Sequence, residues 1–97
     1  FGPLVPMLSF KNFDEVIERA NKNDLGLCSY ICTNSMDQAH RASELMETGT
    51  VAVNTGVVAL AEAPFGGIKQ TGYGREGGST AIKDYLNIKY THLGLKG

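Results

Sequence analysis

The segment from residue 27 to residue 55 constrains the fold more than any other. LCSYICT (27–33) and TVAVNT (50–55) are short, β-rich apolar runs, and the residues between them carry helix spacing. Ser35 with Gln38 three residues on forms a capping pair. Ala39, Ala42, Ser43 and Met46 make one packing stripe, and Gly49 sits where such a helix would close. Strand, helix, strand in this order is a βαβ unit, so the two runs should be parallel neighbours joined by a right-handed crossover. The first run lacks clean alternation, which suits a strand buried on both faces.

The flanks extend the same α/β grammar. LVPMLSF (4–10) is a short apolar run between Pro3 and the polar Lys11-Asn12, and Pro6 inside it points to an edge or interrupted strand. A helix follows: Phe13, Val16, Ile17 and Ala20 recur at helical spacing, Asn12 and Glu15 form a cap pair, and Gly26 stands where a C-terminal glycine belongs. From Gly56 to Gly78 the character changes, for this stretch holds seven of the twelve glycines. Val57, Val58, Leu60, Phe65, Ile68 and Tyr73 make it too apolar for disorder, so it reads as a long loop ordered by burial. STAIKDYL (79–86) can form a short helix capped by Ser79. YLNIKYTHL then alternates Leu86, Ile88 and Tyr90 against Asn87, Lys89 and Thr91, as a strand with one uncovered apolar face would.

Composition removes whole classes of function. Nine basic and ten acidic residues give a net charge of −1 with no long run of like charge, which argues against a nucleic-acid or anionic-membrane partner. No apolar stretch approaches the roughly 20 residues of a membrane span. Ninety-seven residues make one small domain at most, and the opening FGPLVP, beginning on Phe1, reads as a piece of something longer. Cys28 and Cys32 lie four apart in one run, a separation of ~13 Å along a strand that is too long for a disulfide, so both are expected as buried, reduced thiols. His40 and His92 are isolated in other elements, and no metal site is expected.

GYGREG (72–77) has the glycine spacing of a dinucleotide fingerprint. That spacing carries meaning only after a strand, before a helix, and with an acidic residue roughly 20 positions on. GGIKQT precedes it without an apolar run, and the last acidic residue, Asp84, comes too soon. The glycines at 66, 67, 72 and 74 are better read as turn residues that need positive φ or close backbone approach. No catalytic constellation is visible. Glu62 is either a loop carboxylate near a pocket or a solvated acid, and Arg75-Glu76 suits an internal ion pair or a helix cap more than an anion site.

AEAPFGGIKQTGYGREGG, preceded by ETGTVAVNTG and by the opening FGP, resembles the C-terminal part of the aldehyde dehydrogenase superfamily, and VNTG, EAPFGGIKQTGYGREG and IKDYLNIKY are closest in flavour to its succinate-semialdehyde dehydrogenase group. The resemblance covers essentially the whole chain. It implies an α/β fold, the C-terminal part of a catalytic domain built from βαβ units of a mostly parallel sheet (1–84), plus a terminal oligomerisation strand (85–97). It implies an NAD- or NADP-dependent, cytoplasmic oxidoreductase, a mitochondrial location staying open, that converts an aldehyde to its acid. The route is thiolate attack, hydride transfer to nicotinamide and thioester hydrolysis. Phe1 corresponds to the aromatic residue beside the nicotinamide ring. Val58, Ala59 and Leu60 fall in the loop that closes over substrate, Phe65 corresponds to an aromatic residue of the substrate channel, and the terminal strand pairs subunits into a homo-oligomer. The catalytic cysteine, the general base and most of the cofactor site match nothing here, so the chain alone is expected to be inactive. Ala59 and Leu60 stand where the semialdehyde group commonly has a serine, which counts against a dicarboxylic semialdehyde and leaves a less polar aldehyde open. The alternative is a free-standing α/β interaction module that pairs through its last strand.

Overall fold

Side-chain caps set the limits of both helices in the computed structural model, which describes residues 2–95 and 97. In α1 (Phe13–Asn21) the Asn12 side chain accepts the Glu15 N–H at 3.0 Å, satisfying a donor that the first turn leaves unpaired. The Glu15 carboxylate reaches back to the Lys11 N–H at 2.9 Å and pairs with Arg19 one turn on at 3.1 Å. In α2 (Met36–Leu45) the Ser35 hydroxyl accepts the Gln38 N–H at 3.3 Å.

Neither helix closes on the glycine expected of it. Gly26 lies in a short strand, β1 (Leu25–Gly26), and the carbonyls at the end of α1 are met by side chains instead. Asn23 donates to the Ala20 carbonyl at 2.7 Å, and Lys69 Nζ donates to the carbonyls of Asn21 and Asn23 at 2.8 and 3.1 Å. Asn21 also ties off α2, donating to the Leu45 carbonyl and accepting the Glu47 N–H, both at 2.8 Å. Asparagine and lysine thus do at both ends what an αL glycine would have done. Gly49 serves close approach: a Cβ there would collide with the Gly66 carbonyl.

The expected βαβ unit forms. β2 (Cys28–Ile31) and β3 (Thr50–Val53) are parallel neighbours, with Cys28 opposite Thr50 and Ile31 opposite Val53. Bonds from Thr50 N to Leu27 O and from Asn54 N to Ile31 O extend the ladder at each end. A second pair, β1 with β4 (Ile68–Lys69), is antiparallel, so the sheet content is mixed. α1 and α2 are joined at the surface by Arg41, which sits 4.5 Å above the Phe13 ring and 3.0 Å from Asp14.

β2 is not buried on both faces. Ser29 is buried, whereas its neighbour Tyr30 is 58% exposed, because the helices cover one side of the strand and nothing among the described residues covers the other. Cys28 and Cys32 share the open face with Tyr30, which is why Cys28 is only half-buried and Cys32 is exposed; both are free thiols.

Both ends of the chain depart from expectation. Residues 4–10 form no strand and lie exposed, since Pro3 and Pro6 offer no N–H and no edge pairs with them; Arg19 holds the Ser9 carbonyl at 2.9 Å. The helix expected over 79–86 is a 3-10 helix, Ala81–Tyr85. Thr80, not Ser79, stands at its cap and makes no side-chain bond, because its own backbone is already helical. The expected strand beyond it is extended, unpaired chain: Leu86, Ile88 and Tyr90 are all exposed, without a neighbouring strand to ladder against.

Candidate functional site

The loop from Gly56 to Gly78 is folded onto itself through Phe65. Phe65 and Glu76 exchange both backbone hydrogen bonds at 2.7 Å, an isolated antiparallel bridge that sets the aromatic residue at a fixed height beside GYGREG. Just before it, the Ala63 N–H closes a turn on the Leu60 carbonyl at 3.2 Å, and the Gly78 N–H holds the Ala61 carbonyl at 2.8 Å.

Two glycines make this return possible. Gly77 and Gly78 have φ of 66° and 62°, and a Cβ on Gly77 would lie 2.8 Å from the Ala63 carbonyl, a distance no real side chain tolerates. Gly66 and Gly67 serve close approach to Gly74 and Thr71, and Gly72 needs its φ of 105°. The turn reading therefore holds at 66, 67 and 72. Gly74 has neither positive φ nor a crowding neighbour, and nothing in the structure explains it.

Arg75 forms no ion pair with Glu76 and caps no helix. Its Nη1 donates to the carbonyls of Gly67, Gly74 and Tyr73 at 2.6, 3.0 and 3.1 Å, gathering the two sides of the loop, while its backbone N–H donates to Asp84 Oδ2 at 2.9 Å. An open cleft of about 350 Å³ lies beside this arrangement, lined by Leu27, Phe65, Thr71, Arg75, Asp84 and Tyr85 among others. Val58, Ala59 and Leu60 do not line it. Val58 is half-buried, Ala59 is exposed and Leu60 is 54% exposed, so the expected substrate-loop residues and Phe65 are linked through the Leu60–Ala63 turn rather than gathered in one pocket. Phe1 lies outside the described residues.

The glycine cluster does not fit a dinucleotide phosphate. The faces of Gly77 and Gly78 are occupied by the Ala63 carbonyl and the Pro64 ring, the Arg75 guanidinium is committed to three carbonyls, and a five-residue 3-10 helix follows in place of an α-helix. Among the described residues no cluster of His, Cys, Asp and Glu is placed to hold a metal ion, and no helix is long and apolar enough to cross a membrane.

Several residues that fix the site were not singled out by sequence reasoning. Lys69 adopts φ 56° and reaches the Glu47 carboxylate at 2.5 Å as well as the end of α1. Asn54, at φ 54°, exchanges two bonds with the Thr33 backbone at 2.8 and 2.9 Å and so holds the start of the loop against the end of β2. The signal for Asn54 was available, since asparagine before a Thr-Gly pair is a common left-handed residue. Lys69 gave none, because a lysine between an isoleucine and a glutamine looks like any solvated position.

The family model for the aldehyde dehydrogenase family aligns with residues 1–91, and the chain belongs to that family. Within it the chain is 50% identical over 94 residues to 3-sulfolactaldehyde dehydrogenase of Pseudomonas putida, covering 97% of this chain and 19% of that protein. It is 45% identical to the succinate-semialdehyde dehydrogenase [NADP(+)] GabD of Escherichia coli K12, covering 98% and 20%. Among solved structures, succinate-semialdehyde dehydrogenase from Burkholderia pseudomallei superposes with a TM-score of 0.86 at 41% identity over 93% of this chain and 19% of that one. An NAD+ complex of aldehyde dehydrogenase from Bacillus cereus gives 0.86 at 43% identity over 92% and 18%. The chain spans about a fifth of the length of the curated relatives it matches.

Proposed function

We propose that the chain is the C-terminal part of an NAD(P)-dependent aldehyde dehydrogenase, with residues 1–84 completing the catalytic domain and 85–97 serving as the segment that joins subunits. The whole protein oxidises an aldehyde to its carboxylic acid, and a short aldehyde with an acidic far end is the class favoured. The relatives' names share that chemistry: 3-sulfolactaldehyde, succinate semialdehyde and glutarate semialdehyde.

One observation carries the reading. The loop that the family resemblance places at the substrate is rigidly specified here, with Phe65 held by two 2.7 Å backbone bonds to Glu76. A fixed aromatic wall excludes water and limits the poses of the aldehyde carbon. Val58, Ala59 and Leu60 then form an apolar lip, so the acidic end of the substrate is met by other parts of the protein. The cofactor, when bound, accepts the hydride the aldehyde loses. Phe1 keeps its proposed place beside the nicotinamide, and the phosphates are held outside this chain.

The complete protein that contains this chain should be assayed against succinate semialdehyde, glutarate semialdehyde, 3-sulfolactaldehyde and an uncharged aldehyde of similar length, with NAD+ and NADP+ in turn. The expected result is the highest kcat/KM with an acid-bearing aldehyde. A preference for the uncharged aldehyde would overturn the substrate class, and no oxidation of any would overturn the function.

A further inference from the structure

We propose that Asp84 is a positioning residue for Phe65, acting through the backbone of residues 75 and 76. The proposal rests on the reading of Phe65 as part of the aldehyde wall. Asp84 sits on the 3-10 helix and accepts the Arg75 N–H at 2.9 Å. Among the described residues this is the one hydrogen bond between residues 79–95 and the rest of the chain. The next residue, Glu76, exchanges both its backbone bonds with Phe65, while the Arg75 guanidinium holds the opposite strand of the loop at the Gly67 carbonyl, two residues beyond Phe65. The carboxylate therefore fixes residue 75 from one side and the guanidinium fixes the loop from the other, with the Phe65–Glu76 bridge between them. A hydrogen bond to an ionised acceptor is stronger than a neutral one, so an aspartate is well suited to hold such a bond at an exposed position.

The chemistry separates this role from general stability. Asp84→Ala removes the acceptor; Asp84→Asn keeps an oxygen that can accept the same N–H. In the complete protein, hydrogen exchange at the Phe65 and Glu76 amides should quicken about tenfold in Asp84→Ala, stay close to wild type in Asp84→Asn, and remain unchanged in β2 and β3 for both. The aldehyde KM should rise about three- to tenfold in Asp84→Ala with kcat altered less than about twofold. In a Phe65→Ala background the same substitution should add less than about twofold, because its route to substrate has been removed.

Unchanged exchange at Phe65 and Glu76 in Asp84→Ala would overturn the proposal. So would equal effects in the two backgrounds, or an Asp84→Asn variant as impaired as Asp84→Ala. If Phe65→Ala itself left the aldehyde KM unchanged, the reading of the loop as a substrate wall would fall, and the exchange measurement would still decide whether Asp84 positions Phe65.

Discussion

Lys69 shows how a single side chain can justify an unfavourable backbone. A lysine at φ 56° sits in the left-handed region that glycine and asparagine normally fill, and the position keeps its long side chain because the ammonium meets the Asn21 carbonyl that ends α1, the Asn23 carbonyl just beyond it and the Glu47 carboxylate. Lys69→Met should therefore destabilise the complete protein by about 1–2 kcal/mol in denaturant unfolding, since partly exposed groups lose partners that water can only partly replace. A midpoint equal to wild type would show that the ammonium contributes nothing. Gly77→Ala tests the loop in the same way. The φ of 66° and the 2.8 Å approach to the Ala63 carbonyl should together cost about 1–3 kcal/mol and loosen Phe65, whereas Gly56→Ala, with open space around it, should be close to neutral.

At the scale of elements, α1 carries a pH signature. The Lys11 N–H first, and then the Arg19 guanidinium, hold the Glu15 carboxyl below its usual value, with partial desolvation opposing them. A carboxyl depressed in the folded state contributes stability that is fully present above the unfolded value of about 4.5 and is lost as pH falls through the lower folded value. The stability difference between wild type and Glu15→Gln should thus be constant near neutrality and vanish in that acid window. A difference that persists at lower pH would contradict the assignment. The elements legible in the sequence were those whose signals are local. Asn12 and Ser35 cap where they should, Phe13, Val16, Ile17 and Ala20 lie half-buried, and β2 with β3 forms the parallel pair that the intervening helix demands. The elements missed depend on partners remote in sequence. Gly26 and Gly49 were misread as helix stops because Asn21, Asn23 and Lys69 had already closed those ends. The strands expected at 4–10 and 85–93 need an edge that the described residues do not supply. The loop followed the same rule: the motif around Phe65 is visible in the sequence, whereas the Phe65–Glu76 bridge and the Arg75–Asp84 hydrogen bond beside it form only through folding.

The whole molecule is far from compact. Its radius of gyration is 19.1 Å with extents of 74 × 33 × 25 Å, against about 13 Å for a compact domain of this length. The excess lies in exposed ends rich in Leu4, Val5, Met7, Leu8, Leu86, Ile88 and Tyr90, and among the described residues the buried apolar core is Ala42 and Ala52. Such a chain cannot hide its apolar surface alone, so at micromolar concentration the isolated 97-residue protein should self-associate in light scattering. A monodisperse monomer would contradict that expectation. The proposed function assigns this chain walls and an interface and leaves the reagents of catalysis to the rest of the complete protein. Side-by-side measurement of aldehyde-dependent NAD(P)+ reduction by the 97-residue chain and by the complete protein that contains it tests this account most directly. The account predicts turnover by the complete protein and none by the chain alone; turnover by the chain alone, or its absence in the complete protein, would contradict it.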